Sequence, residues 1–239
     1  MLAAGASPPR VVATIGMHGS ASTWVFNVAR ELMIAAMGEI QVVSLYADQR
    51  EQVPDAAGRC LVIKSHHGSP GLDNWLTDAG ARIFLSVRDP RDACVSMCQR
   101  FQSPLAHCAQ WIGNDCNRLL RLFPQGHPLL RYEDRFFDDK DMVKRIAVSL
   151  MLQPPPAMID TIFDRYRTGS VRTFAEALGQ LPPERLTTVV RFPMDRITQI
   201  LGPHIGDTLS GKWRDLPTHV QGELTRVFRP FLDRFGYPC

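Results

Sequence analysis

Residues 11–32, VVATIGMHGSASTWVFNVAREL, constrain the fold more than any other stretch of the chain. A β-branched run leads through a loop of Gly, Ser and Ala residues into an amphipathic segment, which predicts a strand, a tight loop and a helix. In such a unit the loop amides and the positive end of the helix dipole converge on one point, and that point suits a phosphate. A Walker loop is excluded because the stretch has no Gly-Lys pair.

Further short apolar runs predict strands at 41–45, 60–64, 82–87 and 128–132. Helical patterns separate or follow these strands at 72–79, 91–101, 104–123, 142–152, 195–201 and 216–235. Asp89 and Pro90 supply the N-cap and the first-turn proline of the helix predicted at 91–101. Strands spaced by helices of this length predict an α/β fold in which helices flank a central parallel sheet.

The 239-residue length fits one domain, and we expect a flexible lead-in at 1–10 followed by a single domain at 11–239. A net charge of +3 is too small to indicate a nucleic-acid or membrane-surface partner, although it leaves room for one basic pocket. No apolar run approaches the length of a membrane span, and residues 1–10 lack the pattern of a secretory signal. The six cysteines form no CxxC pair, which favours free thiols, a cytoplasmic location and no metal site.

Polar residues follow the predicted strands at the edge where ligands of parallel α/β sheets bind. They are the loop at 16–23, then Lys64 and His66, then Arg88, then Arg131 and Tyr132. A cation at the end of a buried strand is costly unless an anion or a carboxylate lies beside it. Lys64 and His66 are two residues apart, so their side chains point to the same side of an extended segment. The strand ends therefore predict an anion site, with His66 either a general base or an ordinary loop histidine.

Residues 87–101, VRDPRDACVSMCQRF, resemble the segment of the sulfotransferases that binds the 3′-phosphate of 3′-phosphoadenosine-5′-phosphosulfate (PAPS). Five further stretches resemble motifs of that family and occur in the family's order. They are GSASTW at 19–24, VIKSH at 62–66, LRYED at 130–134, the pair Thr173-Phe174, and GKWR at 211–214. The resemblance covers about residues 11–235 and implies a P-loop type of nucleotide-binding domain.

The resemblance implies transfer of a sulfuryl group from PAPS to a hydroxyl or amine of a small-molecule acceptor. His66 would be the general base, and Lys64 would lie near the transferred group. Arg88 and Ser96 would hold the 3′-phosphate, and Trp24 and Phe174 would flank the adenine. The implied co-substrate-binding residues are Gly19, Ser20, Ala21, Ser22, Thr23, Trp24, Arg88, Ser96, Phe174, Lys212 and Arg214. The chemistry depends on positioning and charge stabilisation and needs no metal.

The sequence departs from the family at three places. Gly19 stands where the family has a lysine, Ala21 stands where it has a glycine, and an Arg-Lys-Gly triplet is replaced by Gly-Asp-Thr at 206–208. These departures leave two alternatives, namely a nucleotide-binding module without catalysis and a P-loop kinase or NTPase. The expected acceptor-lining stretches are 68–74, 104–111 and 165–191, and the oligomeric state is expected to be a monomer or a homodimer.

Overall fold

The structure, a computed structural model, describes residues 7–202 and 205–239. Five parallel strands form a central sheet in the order β2-β3-β1-β4-β5. Their bounds are β1 Val11–Gly16, β2 Val42–Tyr46, β3 Cys60–Ser65, β4 Arg82–Val87 and β5 Leu129–Arg131. The parallel sheet was predicted, and the bounds of β2, β3, β4 and β5 were predicted within one or two residues at each end. Residues 1–6 of the predicted lead-in lie outside the described residues, whereas the Arg10 carbonyl already accepts a hydrogen bond from Leu61 at 2.9 Å.

Helices cover both faces of this sheet because alternate residues of each buried strand point to opposite sides. In β1, Ala13 and Ile15 belong to one apolar core and Val12 belongs to the other. The helices are α1 Ser22–Met37, α2 Pro70–Asp78, α3 Pro90–Phe101, α4 Leu105–Leu122, α5 Lys140–Ser149, α6 Pro156–Tyr166, α7 Thr168–Glu176 and α8 Thr218–Phe235. The core beside Ala13 includes side chains of α3, α4 and α8, and the core beside Val12 includes those of α1, α5 and α6.

The prediction of a helix at 195–201 is wrong. The chain instead forms an antiparallel hairpin of β6 Leu186–Val189 and β7 Phe192–Asp195, followed by a turn. The buried Asp195 carboxylate accepts hydrogen bonds from the amide and hydroxyl of Thr198 at 3.1 and 2.6 Å. It also pairs with Arg185 at 2.7 Å. A side chain that binds the nearby backbone in this way favours a turn over a helix. Pro203, which follows this stretch in the sequence, lies outside the described residues.

Among the helices of the described ranges, none has both the length and the apolar character required to cross a membrane. All six cysteines are free thiols, four of them buried.

Candidate functional site

A cavity of about 630 Å³ opens at the carboxyl end of the sheet, where the sequence predicts a ligand. Its wall includes both expected catalytic residues, His66 and Lys64, and eight further lining residues were expected to bind the co-substrate. These eight are Gly19, Ala21, Ser22, Thr23, Trp24, Arg88, Ser96 and Lys212. The cavity wall thus combines the first strand-loop-helix unit, the ends of β3 and β4, and the late loop before α8.

Three expected binding residues do not line this cavity. Ser20 is fully buried, and its hydroxyl contacts the Met17 carbonyl at 2.6 Å and the Ser86 hydroxyl at 2.9 Å. Phe174 packs against the apolar core of α5 and α6, because α7 presents Thr168 and Val171 to the cavity instead. The Arg214 guanidinium lies 4.9 Å from the Trp213 ring centroid.

The loop between β1 and α1 is shaped to receive an anion. Gly19 and Ala21 both have positive φ, 78° and 61°, and helix α1 has no side-chain cap at its N-terminus. Within the described residues, the amides of Gly19, Ala21, Ser22 and Thr23 donate no hydrogen bond. A left-handed loop before an uncapped helix forms a concave set of N–H donors, which binds phosphate oxygens. The conformation of Ala21 also explains why the sulfotransferase motif has a glycine there.

The two expected 3′-phosphate ligands, Arg88 and Ser96, lie on opposite sides of the β4–α3 turn. The Arg88 guanidinium donates to the Gly19 carbonyl at 3.2 Å and to the Leu209 carbonyl at 2.8 Å. It also stacks on the Tyr132 ring, 4.1 Å from its centroid. These contacts fix the guanidinium at the cavity wall but leave its Nε without a partner.

Five buried side-chain polar atoms of the described ranges lack a hydrogen-bond partner, and four of them belong to cavity-lining residues. The four are Trp24 Nε1, Asn27 Oδ1, Arg88 Nε and Ser96 Oγ. A buried polar group without a hydrogen bond costs about 1–3 kcal/mol of stability. The concentration of four such groups at one cavity therefore indicates that a polar ligand supplies their missing hydrogen bonds. The residues present therefore fit a polyanionic ligand with a phosphate at Arg88 and Ser96.

Positive charge concentrates at the same cavity. Lys64 is buried on β3, and burial, reinforced by the nearby Arg100 guanidinium, lowers its pKa to about 7. Burial and the charge of Arg88 lower the pKa of Arg100 to about 10. Cations crowded in this way are stabilised by an anion of opposite charge. Arg100 was missed from the sequence because it lies on the third turn of α3, where an arginine is ordinarily a solvated helix residue.

His66 is neutral and held in one orientation. Burial, together with the charges of His18 and Lys64, lowers the pKa of His66 well below its ordinary value. Its Nδ1 lies 2.5 Å from the Gly16 carbonyl, which can only accept, so Nδ1 carries the proton. The other ring nitrogen, Nε2, therefore keeps a lone pair that can accept a proton.

The segments at 87–101 and 211–214, which both resemble family motifs, contact each other and so hold each other in position. The Asp92 carboxylate on α3 accepts hydrogen bonds from the amides of Gly211 (2.5 Å) and Trp213 (3.0 Å). The buried Arg91 guanidinium lies 3.7 Å from the Trp213 ring centroid. These contacts hold the loop before α8 against α3 and place Lys212, which lies between Gly211 and Trp213, at the cavity wall.

At the end of β5, Arg131 points away from the cavity, and its guanidinium contacts the Phe235 carbonyl.

The expected acceptor-lining stretches are present only in part. None of residues 68–74 lines the cavity, because Gly68 packs against the Arg118 guanidinium, which hydrogen-bonds to the Asp73 carboxylate. Trp111 alone contributes from the second stretch, and Tyr166 at the end of α6, together with residues of α7 and the hairpin, contributes from the third. The apolar part of the wall includes Met97, Phe101, Trp111, Val171, Val190 and Met194.

No protein-family model and no curated protein matches this sequence. Solved structures match it closely in fold. A mouse sulfotransferase, SULT7A1, complexed with PAP (3′-phosphoadenosine 5′-phosphate) matches with a TM-score of 0.63 and 12% identity, over 95% of this chain and 86% of that one. Retinol dehydratase with retinol and PAP matches with a TM-score of 0.59 and 14% identity, over 95% and 82% of the two chains. The complex of retinol dehydratase with androsterone and PAP matches with a TM-score of 0.59 and 15% identity, over 95% of this chain and 82% of that one.

Each of these similarities covers 95% of this chain, and the central parallel sheet flanked by helices agrees with them. The chain therefore has the sulfotransferase fold.

Proposed function

We propose that this protein transfers a sulfuryl group from PAPS to a hydroxyl or amine of a small-molecule acceptor. The observation that carries the proposal is the set of unpartnered polar atoms at Arg88 and Ser96. The sequence motif at 87–101 independently predicts that these two residues hold the 3′-phosphate, and each has a buried polar atom that lacks a protein partner. The structural neighbours are complexes with PAP, a nucleotide that carries a 3′-phosphate.

In this proposal the chain binds PAPS at two phosphate positions. The Arg88 guanidinium and the Ser96 hydroxyl bind the 3′-phosphate by charge-assisted and neutral hydrogen bonds. The amides and hydroxyls at Gly19, Ala21, Ser22 and Thr23 bind the 5′-phosphate, where negative charge grows as the sulfuryl group leaves. Lys64, Arg100 and Lys212 add positive charge around both positions, and Trp24 contacts the adenine.

The neutral His66 acts as the general base. Because its Nδ1–H is held by the Gly16 carbonyl, its Nε2 accepts the proton of the attacking hydroxyl or amine. An acceptor lies against the apolar wall, which supports a compound with a sizeable apolar body. Retinol and androsterone, which retinol dehydratase holds in its complexes, are alcohols of that kind.

The test is transfer from ³⁵S-labelled PAPS to a panel of phenols, sterols, apolar alcohols and amines. We expect a labelled product with at least one apolar acceptor, and we expect His66→Ala to lower kcat by at least about 100-fold. PAP affinity should stay within a few-fold in that variant. If the variant keeps its activity, His66 is not the base. Tight nucleotide binding without transfer across the panel would favour a binding module instead. Mg²⁺-dependent ATP turnover would favour a P-loop NTPase.

A further inference from the structure

An acidic side chain lies among the cations proposed to bind the phosphates of PAPS. Asp207, in the loop before α8, lines the cavity together with Lys212. Its carboxylate oxygens lie 3.1 and 3.4 Å from the Lys212 Nζ. Partial burial acts to raise the pKa of Asp207. The hydrogen bonds from Leu209 and Lys212 and the charge of Arg88 outweigh burial and lower that pKa, so the carboxylate is an anion at neutral pH.

The same loop also holds the Arg88 guanidinium. Asp207 Oδ1 accepts a hydrogen bond from the Leu209 amide at 3.0 Å, and the Leu209 carbonyl accepts one from Arg88 Nη2 at 2.8 Å. A carboxylate that binds the amide two residues further along the chain closes a local turn and fixes the backbone between them. Asp207 therefore engages Lys212 directly and Arg88 through Leu209.

The edge of Arg88 that this loop reaches is one that suits a phosphate. Arg91 and Arg185 each bind an aspartate carboxylate through the two nitrogens Nε and Nη2. Arg88 has the same pair of donors. Its Nε has no hydrogen-bond partner within the described part of the chain, and its Nη2 donates to Leu209. A phosphate that binds both nitrogens competes with the Leu209 carbonyl for Nη2.

The Asp207 carboxylate opposes a second anion at this place. It acts on the charge of Arg88 in the free protein, so it repels a phosphate that binds Arg88, and this repulsion is stronger at a cavity wall than in bulk water. The sulfotransferase motif has an Arg-Lys-Gly triplet at 206–208, whereas this chain has an acid there. The Asp207 side chain is 46% exposed, so its pair with Lys212 can open without disturbing the core.

We propose that the Asp207 carboxylate is an internal substitute for the 3′-phosphate, which PAPS must displace before it binds Arg88 and Lys212. This inference rests on the proposed function and deepens it, since it assigns the control of co-substrate affinity to one residue. On binding, Lys212 exchanges a carboxylate for a phosphate, and Arg88 Nη2 exchanges the Leu209 carbonyl for a phosphate oxygen. The wild-type protein thus gives up part of its affinity for PAPS and for PAP, which speeds the release of PAP after transfer.

The test is calorimetric titration with PAP and with adenosine 5′-phosphate, which lacks the 3′-phosphate. Asp207→Asn keeps an oxygen that can accept from the Leu209 amide but removes the charge, so we expect PAP affinity to rise about tenfold. Affinity for adenosine 5′-phosphate should stay within about twofold, because that nucleotide places no phosphate at this position. Asp78→Asn makes the same change in net charge at an exposed residue outside the cavity wall and should leave both affinities unchanged.

The double variant with Lys212→Met separates displacement from a general effect of charge. When Lys212 is absent, Asp207→Asn relieves only the repulsion, because no ion pair has to open. The gain in PAP affinity should then be at least about threefold smaller than the gain in the wild-type background. Additive effects of the two substitutions would overturn the inference, since Asp207 would then act on the phosphate without being displaced from Lys212.

Unchanged or lower PAP affinity in Asp207→Asn, with the wild-type preference for PAP intact, would also overturn the inference, because the loop would then support the phosphate site. Failure of the proposed function gives a different result, since neither the wild-type protein nor Asp207→Asn would prefer PAP over adenosine 5′-phosphate.

Discussion

Lys64 gives the most quantitative prediction, which is that PAP binding takes up protons. Lys64 as a whole is 6% exposed, and burial together with the charge of Arg100 lowers the pKa of its ammonium group to about 7. About half of the free protein therefore has a neutral Lys64 at pH 7, and about nine-tenths at pH 8. A bound polyanion favours the charged form and raises that pKa toward its ordinary value, so the missing proton must be taken up on binding.

The expected uptake is about 0.5 proton per PAP at pH 7 and about 0.9 at pH 8, falling to about 0.1 at pH 6. PAP affinity is expected to fall as the pH rises, because above pH 7 the free protein, with its lowered Lys64 pKa, binds fewer protons than the complex does. The loss approaches about 1.4 kcal/mol for each pH unit above 7.

The assay is calorimetry of PAP binding in two buffers that differ in ionisation enthalpy, repeated at pH 6, 7 and 8. Lys64→Met keeps the length of the side chain and removes its titration, so the increase in uptake from pH 6 to 8 should largely disappear. Equal uptake in wild type and Lys64→Met, or no uptake by the wild type at pH 8, would refute the reasoning.

Three further variants test local parts of the structure. Ala21→Gly removes the backbone strain of a non-glycine residue with positive φ and should stabilise the protein by about 1 kcal/mol. A thermal melt would record this as a Tm rise of about 2–4 °C, and a lower Tm would contradict the prediction. Asp92→Ala removes the acceptor that holds the Trp213 amide, and PAP binding should weaken several-fold by calorimetry, whereas unchanged binding would show that the late loop is held by other contacts. Arg118→Met leaves the buried Asp73 carboxylate with only the exposed Arg121 at 3.7 Å and should cost about 3 kcal/mol in urea unfolding, the lower end of the cost of breaking a buried pair; a loss below about 1 kcal/mol would contradict the role of this pair.

The sheet was predictable because its strands are short apolar runs whose ends carry turn residues. β4 was predicted at its observed bounds, since a cation precedes its apolar run and Asp89 caps the following helix. The hairpin of β6 and β7 was not predicted. Its strands have few buried side chains, and the turn after it depends on Asp195 binding Thr198 and Arg185, a pattern that hydrophobic periodicity does not report.

The cavity was predictable where its residues follow strands and unpredictable where they come from helix interiors. Lys64, His66 and Arg88 were found because strand ends of a parallel sheet meet. Asp115 lies behind the cavity wall, where its carboxylate contacts His18 at 2.8 Å, and it was missed because it lies within an amphipathic helix, 97 residues from His18 along the chain. Only the packing of α4 beside β1 brings the two together. Phe174 lies outside the cavity wall for a related reason, since the sequence does not specify which face of α7 turns toward the cavity.

The most direct test of PAPS-dependent sulfuryl transfer is calorimetric titration with PAP and with adenosine 5′-phosphate, which lacks the 3′-phosphate. The contacts available at Arg88 and Ser96 predict that the wild-type protein binds PAP at least about 100-fold more tightly. Arg88→Ala should remove most of that preference while leaving affinity for adenosine 5′-phosphate nearly unchanged. Equal affinity of the wild-type protein for the two nucleotides would contradict the proposed function.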